Sequence, residues 1–234
     1  NLSKYSDYSV RVLHRGEQDL LADGPIIICT RNDDLDGVME WIPSERTIDL
    51  IFVQNGMLTS WFEMYDLTNV TTALLYVAVG SVGADPVDGQ RTVVTGPNAE
   101  VFQGFMETLS LQCRCISETE FNVEMVEKFL WNCVFGLLCS VHQVSVGQVV
   151  ESHRAELSDL TQELLQVCMT QLNFSMTKDE RTSLEERLCA SSMSIYEYRG
   201  AVKEWPWRNG WLVNTHLPQP LHRTFLEKAV PHLL

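Results

Sequence analysis

Lys128 and Asn132 lie inside a run, Met125 to Val141, whose residues are apolar on nearly every helical face. Their spacing puts one above the other on the same side of a helix. An ammonium in such surroundings is costly unless it is paired or used. Paired, Lys128 meets Glu124 one turn earlier and Asn132 is a satisfied core amide. Used, a lysine partly withdrawn from water can be tuned to release a proton near neutral pH. A helix apolar all round belongs in the middle of a core. The run is too short and too charged to span a membrane, where about twenty apolar residues are needed.

Other residues capable of chemistry are sparse. The seven cysteines are scattered, mostly within apolar stretches, which suits a reducing compartment. Cys113 and Cys115 form the one close pair, and no His or Cys cluster completes a zinc set around them, so no metal is expected there. The net charge of −14 argues against nucleic acid and anionic membrane as main partners, since both select basic faces.

The elements that must position Lys128 follow from periodicity. Residues 9–14, SVRVLH, alternate as a strand ending at Arg15-Gly16. Residues 25–30, PIIICT, suit a strand buried on both faces, and 49–54, DLIFVQ, suit another that breaks at Asn55-Gly56. A short helix carrying Leu35, Val38, Met39 and Trp41 lies between them, making a βαβ unit and a parallel sheet. In open sheets of this kind ligands bind at the carboxyl ends of the strands, here Arg15, Thr30-Arg31 and Asn55-Gly56. A strand over 72–82, a turn over 85–89 and a strand over 91–96 suggest an antiparallel edge. A helix over 99–109 and a short strand near 112–116 follow. From about 118 strands disappear. Leu157, Leu160, Leu164, Cys168 and Leu172 mark a core-facing helix, and Thr177 to Glu180 is a capping box. A kink at Pro206 and a last helix from about Leu221 complete an α/β domain, 1–117, and an all-helical domain, 118–234.

Several separated motifs together resemble ketopantoate reductases, the NADPH-dependent 2-dehydropantoate 2-reductases. PIIICTR, LIFVQNGM, EKFLWNC, and the late pattern of Ser192-Met193, Glu204 and Asn209-Gly210 fall in that family's order and spacing, from about residue 9 to residue 225. The resemblance implies a Rossmann-like parallel-sheet domain, truncated at its start, and a helical substrate-binding domain of the 6-phosphogluconate-dehydrogenase-like type. It implies NADP(H) as cofactor and a small 2-keto acid as substrate. It also implies a role in pantothenate biosynthesis and a cytoplasmic location, or an organelle if a transit peptide precedes residue 1. It leaves a homodimer open as the assembly. Lys128 would be the general acid, protonating the keto oxygen as hydride arrives. Asn132, Ser192 and Glu204 would bind substrate. Asn55 and Arg31 would contact the cofactor, and Arg15 would meet the 2′-phosphate.

Four departures stand beside the resemblance. The Gly-x-Gly-x-x-Gly phosphate loop is absent from residues 1–234, which fits a chain beginning inside the first helix. The stretch between Arg15 and PIIICTR is short, so the crossover is short or a strand is missing. Gly136 stands where the family commonly has a second asparagine, which suggests a lost contact and a roomier cleft. Tyr196 stands where an acidic residue is usual. Two rival readings follow: a non-catalytic relative that binds a small acid or a protein, and an interaction protein docking through Trp205, Trp207 and Trp211. Each single role has a plainer alternative as well. Ser192 can cap a helix, Glu204 can be a surface carboxylate, Arg15 can be solvated, and Asn55-Gly56 can be a turn.

Overall fold

The computed structural model describes residues 9–14, 17, 23–78 and 85–234. The chain divides into two compact units, Asn1–Val123 and Glu124–Leu234, so the boundary falls a few residues beyond the 117/118 step that composition suggests.

In the first unit, β1 (Ile26–Ile28) leads through a 3₁₀ turn at Asn32–Asp34 into α1 (Leu35–Met39). A second 3₁₀ stretch, Ser44–Asp49, delivers the chain to β2 (Leu50–Phe52). The two strands pair in parallel, Ile26 opposite Leu50 and Ile28 opposite Phe52, as a βαβ unit requires. After α2 (Thr59–Met64), β3 (Thr71–Leu74) adds in parallel to β2. The strand expected over 72–82 ends at Leu74. The chain then forms β4 (Val77–Ala78), paired with β5 (Val87–Asp88) in a small separate sheet. So 85–89, expected as a turn, contributes a strand. Gly89 closes this hairpin: its N–H bonds the Tyr76 carbonyl at 2.7 Å, and an added Cβ would lie 2.6 Å from that oxygen. β6 (Val93–Thr95) runs antiparallel to β3, as the sequence suggests, and after α3 (Ala99–Thr108) β7 (Arg114–Cys115) lies parallel to β6. The sheet order is β1-β2-β3-β6-β7. Ile51, Ala73 and Val94 meet Phe102, Phe105 and Met106 of α3, and Leu109 just after it, in its core.

Residues 9–14 form no strand, against expectation. A strand exists by pairing, and no described segment pairs along the free side of β1. Val10 packs against the core, but Val12 is exposed. Alternation without a partner does not make a ladder. Arg15 lies outside the described residues.

The helical part begins with α4 (Glu118–His142), which contains the whole apolar run. In the second unit Val126, Phe129, Leu130, Cys133, Val134, Phe135, Leu137 and Leu138 are buried on all sides of it. Then come α5 (Val146–Ser152), α6 (Arg154–Gln171) and α7 (Lys178–Ser194). A 3₁₀ turn at Trp205–Trp207, α8 (Asn209–Asn214) and α9 (Pro220–Ala229) follow. Capping boxes open α5, with Ser145 and Gln148, and α7, with Thr177 and Glu180. Among the described residues no single helix is long and apolar enough to cross a membrane.

Candidate functional site

At the carboxyl ends of β1 and β2, two amide side chains tie the strands together beyond their last backbone pairing. Gln54 donates from Nε2 to the carbonyls of Ile28 (2.8 Å) and Thr30 (3.1 Å), while its Oε1 accepts from the Val53 N–H. Asn32, buried at the head of the 3₁₀ turn, donates to the Asn55 carbonyl at 2.8 Å. Asn55 is half-buried, and its side-chain Oδ1 is enclosed without a hydrogen-bond partner. Gly56 follows with φ +99°, a left-handed turn that glycine adopts without strain. Arg31 is exposed at the same edge. Asn32 and Gln54 escape a reading by sequence alone because each looks like the polar tail of a strand or turn. Their partners lie more than twenty residues away.

In the second unit, Lys128 and Asn132 occupy successive turns of one face of α4, both half-buried. Asn132 donates from Nδ2 to the Lys128 carbonyl at 2.8 Å, which fixes its amide against the helix. On the neighbouring face Trp131 donates from its indole to Ser192 Oγ at 2.9 Å, and Ser192 donates onward to the Leu188 carbonyl at 2.9 Å. Ser192 is fully buried. As placed, it ties α4 to α7 and shows no surface to a ligand.

The segment after α7 closes against α4. A Cβ on Gly136 would lie 2.7 Å from the Ala201 carbonyl oxygen, and one on Gly200 would lie 3.1 Å from the Phe135 carbonyl oxygen. Gly136 therefore does not open the cleft, as the sequence suggests it should. Backbone fills the space instead. Tyr196 also serves packing: its ring covers Gly147, its carbonyl accepts the Gly147 N–H, and its hydroxyl donates to Glu151 at 2.6 Å.

Glu204 is held at φ +48°, where a non-glycine residue is strained. Its carboxylate lies 2.5 Å from an Arg208 nitrogen, an ion contact off the hydrogen-bonding direction. Oε2 of Glu204, Nε of Arg208 and Nδ2 of Asn209 are all buried without a hydrogen-bond partner. Arg208 belongs with the site but has no motif to announce it. Only its position one turn after Glu204 could have flagged it. Behind it, His222 is wholly buried between Asn209 Oδ1 (2.8 Å) and Gln219 Oε1 (2.7 Å), and burial pushes its pKa down to about 4. Trp205, Trp207 and Trp211 are half-buried, with Trp211 edge-on to Phe129. None of the three is fully exposed, as the docking reading would have them, and none is fully buried.

No family model matches the sequence, and no curated protein matches it. Solved structures match its fold. The dimeric ketopantoate reductase of Staphylococcus aureus aligns with a TM-score of 0.61 at 17% identity, covering 85% of this chain and 73% of that one. A 2-dehydropantoate 2-reductase from Methylococcus capsulatus aligns at 0.63 and 13% identity, covering 92% and 76%. D-mandelate dehydrogenase, solved with NADH, aligns at 0.65 and 10% identity, covering 88% and 77%. What is shared at such identities is a fold, a parallel-dominated sheet followed by a helical domain.

Proposed function

We propose, from a fold shared with ketopantoate reductases, that this chain is a nicotinamide-dependent reductase of a small 2-keto acid. The observation that carries the reading is the Lys128–Asn132 turn, a lysine and an asparagine, each half-buried, on successive turns of the most buried helix of the second unit.

The residues present fit a dinucleotide in part. At the carboxyl edge of the sheet, Asn55 Oδ1 is an enclosed acceptor without a donor, and Arg31 is an exposed cation. These are the groups that would hold the cofactor's polar and phosphate parts, with Arg15 as a further cation for a 2′-phosphate and hence for NADPH. When bound, the dinucleotide supplies the hydride.

The rest of the chemistry belongs to the chain. Lys128 donates a hydrogen bond to the substrate's keto oxygen, stabilises the negative charge that develops there, and passes its proton to the alkoxide. Asn132 orients the substrate beside it. Glu204, already in contact with Arg208, presents a paired carboxylate rather than a free one, so its partner on the substrate is a hydroxyl. Ser192 acts at one remove, by fixing Trp131 and thereby the register of α4. The filled space at Gly136 favours a 2-keto acid smaller than ketopantoate.

A second reading is a non-catalytic relative that binds a small acid. The internal engagement of Ser192 and the Arg208 clasp on Glu204 favour it. Titration of the full-length protein with NADPH and NADH, followed by turnover with a series of small 2-keto acids, separates the two. Micromolar binding with NADPH consumption supports the reductase. Absence of dinucleotide binding overturns it in favour of the second reading.

A further inference from the structure

At the far end of α4 from Lys128, His142 converges with His153 and Glu156. The three residues offer two imidazole nitrogens and a carboxylate oxygen, all within 4.8 Å of one another. Each comes from a different structural position. His142 is the last residue of α4, His153 is the hinge residue between α5 and α6, and Glu156 lies in the first turn of α6. Glu156 Oε2 is 2.6 Å from His142 Nε2 and 3.5 Å from His153 Nδ1.

Two imidazoles, rather than a lysine or arginine, face this carboxylate. Among the described residues no lysine or arginine serves Glu156, and the neighbouring Arg154 is turned to Glu185 at 2.7 Å. His142 Nε2 and Glu156 Oε2 are both enclosed, yet neither completes a directed hydrogen bond. The imidazoles lie face to face, 3.7 Å between centroids at 19°, and each has a ring nitrogen within 3.5 Å of the same Glu156 oxygen. Phe225 stands edge-on to His142 and gives the cluster an apolar wall. Two imidazole nitrogens and one carboxylate oxygen, with no lysine or arginine among them, form the donor set of a divalent late transition metal rather than of calcium or magnesium.

We propose that His142, His153 and Glu156 bind one zinc-class ion, water completing its coordination. With metal–ligand bonds of about 2.1 Å, ligand atoms around a tetrahedral ion lie about 3.4 Å apart, so Glu156 Oε2 must draw back from His142 Nε2, 2.6 Å away, and the stacked rings must tilt towards a shared point. Both imidazoles are partly exposed, at 21% and 25%, so they can turn without disturbing the core. The ion joins the end of α4 to the α5–α6 junction. Its role is structural, independent of the reductase chemistry.

The test is zinc titration of the chelator-treated full chain by calorimetry, with cobalt as a spectroscopic probe. The expected result is a single equivalent of zinc bound at micromolar Kd or tighter, no response to magnesium, and binding weakened at least about tenfold in H142A and in E156Q. Zinc should raise the thermal midpoint of the parent and not of the variants. E156Q preserves shape at a partly exposed position, so it remains informative if H142A does not fold. Cobalt should give ligand-field bands without thiolate charge-transfer. Absence of saturable zinc binding, full affinity in E156Q, or a thiolate band pointing to the cysteines would each overturn the assignment.

Discussion

Gly136 and Ala201 approach so closely that a methyl group on the glycine would stand 2.7 Å from the Ala201 carbonyl oxygen. The contact is with backbone, which cannot swing aside as a flexible side chain can. G136A should therefore destabilise the protein by about 1–3 kcal/mol, and G136N by more, through overpacking. Urea unfolding at constant m-value measures this. An unchanged midpoint in G136A would show that the 200–201 segment yields freely.

Lys128 carries the proposed chemistry, so K128A should lower kcat by about 10²-fold or more while leaving the circular-dichroism melt near that of the parent. A rate unaffected by this substitution would return Lys128 to the role of a structural cation.

Glu204 and Arg208 form one electrostatic unit. E204Q leaves a guanidinium buried without its counter-charge and should destabilise by about 2 kcal/mol, less than a fully buried pair would cost because Glu204 is about a third exposed. The double variant E204Q/R208Q should recover part of that loss. Strict additivity in this cycle would mean the two residues are not coupled.

His222 sets a pH dependence. Its folded pKa lies near 4, below the ordinary histidine value of 6.5, because burial disfavours the charged ring. Between these values the unfolded chain binds the extra proton, so stability falls as pH drops from 6.5 towards 4. The loss over that window is roughly 3 kcal/mol. Unfolding measured against pH should show this slope in the parent and a flatter one in H222Q, compared after their different stabilities at neutral pH are subtracted.

The legible parts of this protein are those with local causes. The apolar run around Lys128, the β1–α1–β2 unit and the Thr177–Glu180 capping box follow from periodicity or from side chains three residues apart, and the structure has all of them. The capping box at Ser145 and Gln148 is equally local, although the apolar pattern, which ends at Val141, announces no helix start there. What the sequence hides is long-range. Residues 9–14 alternate correctly but find no partner strand among the described residues. Ser192 looks like a binding serine until Trp131, sixty-one residues away, takes its oxygen. Gly136 looks like an empty place until Ala201 fills it.

The amide ties of Asn32 and Gln54 bear on how quickly a ligand can be captured. They set the order of the loops at the carboxyl ends of β1 and β2 in advance, so a ligand arriving there meets a surface that need not first fold around it. Association at that edge should run as a single fast phase without a slow isomerisation. Loosening either tie, as in N32A or Q54A, should appear first as a slower on-rate rather than as a faster release.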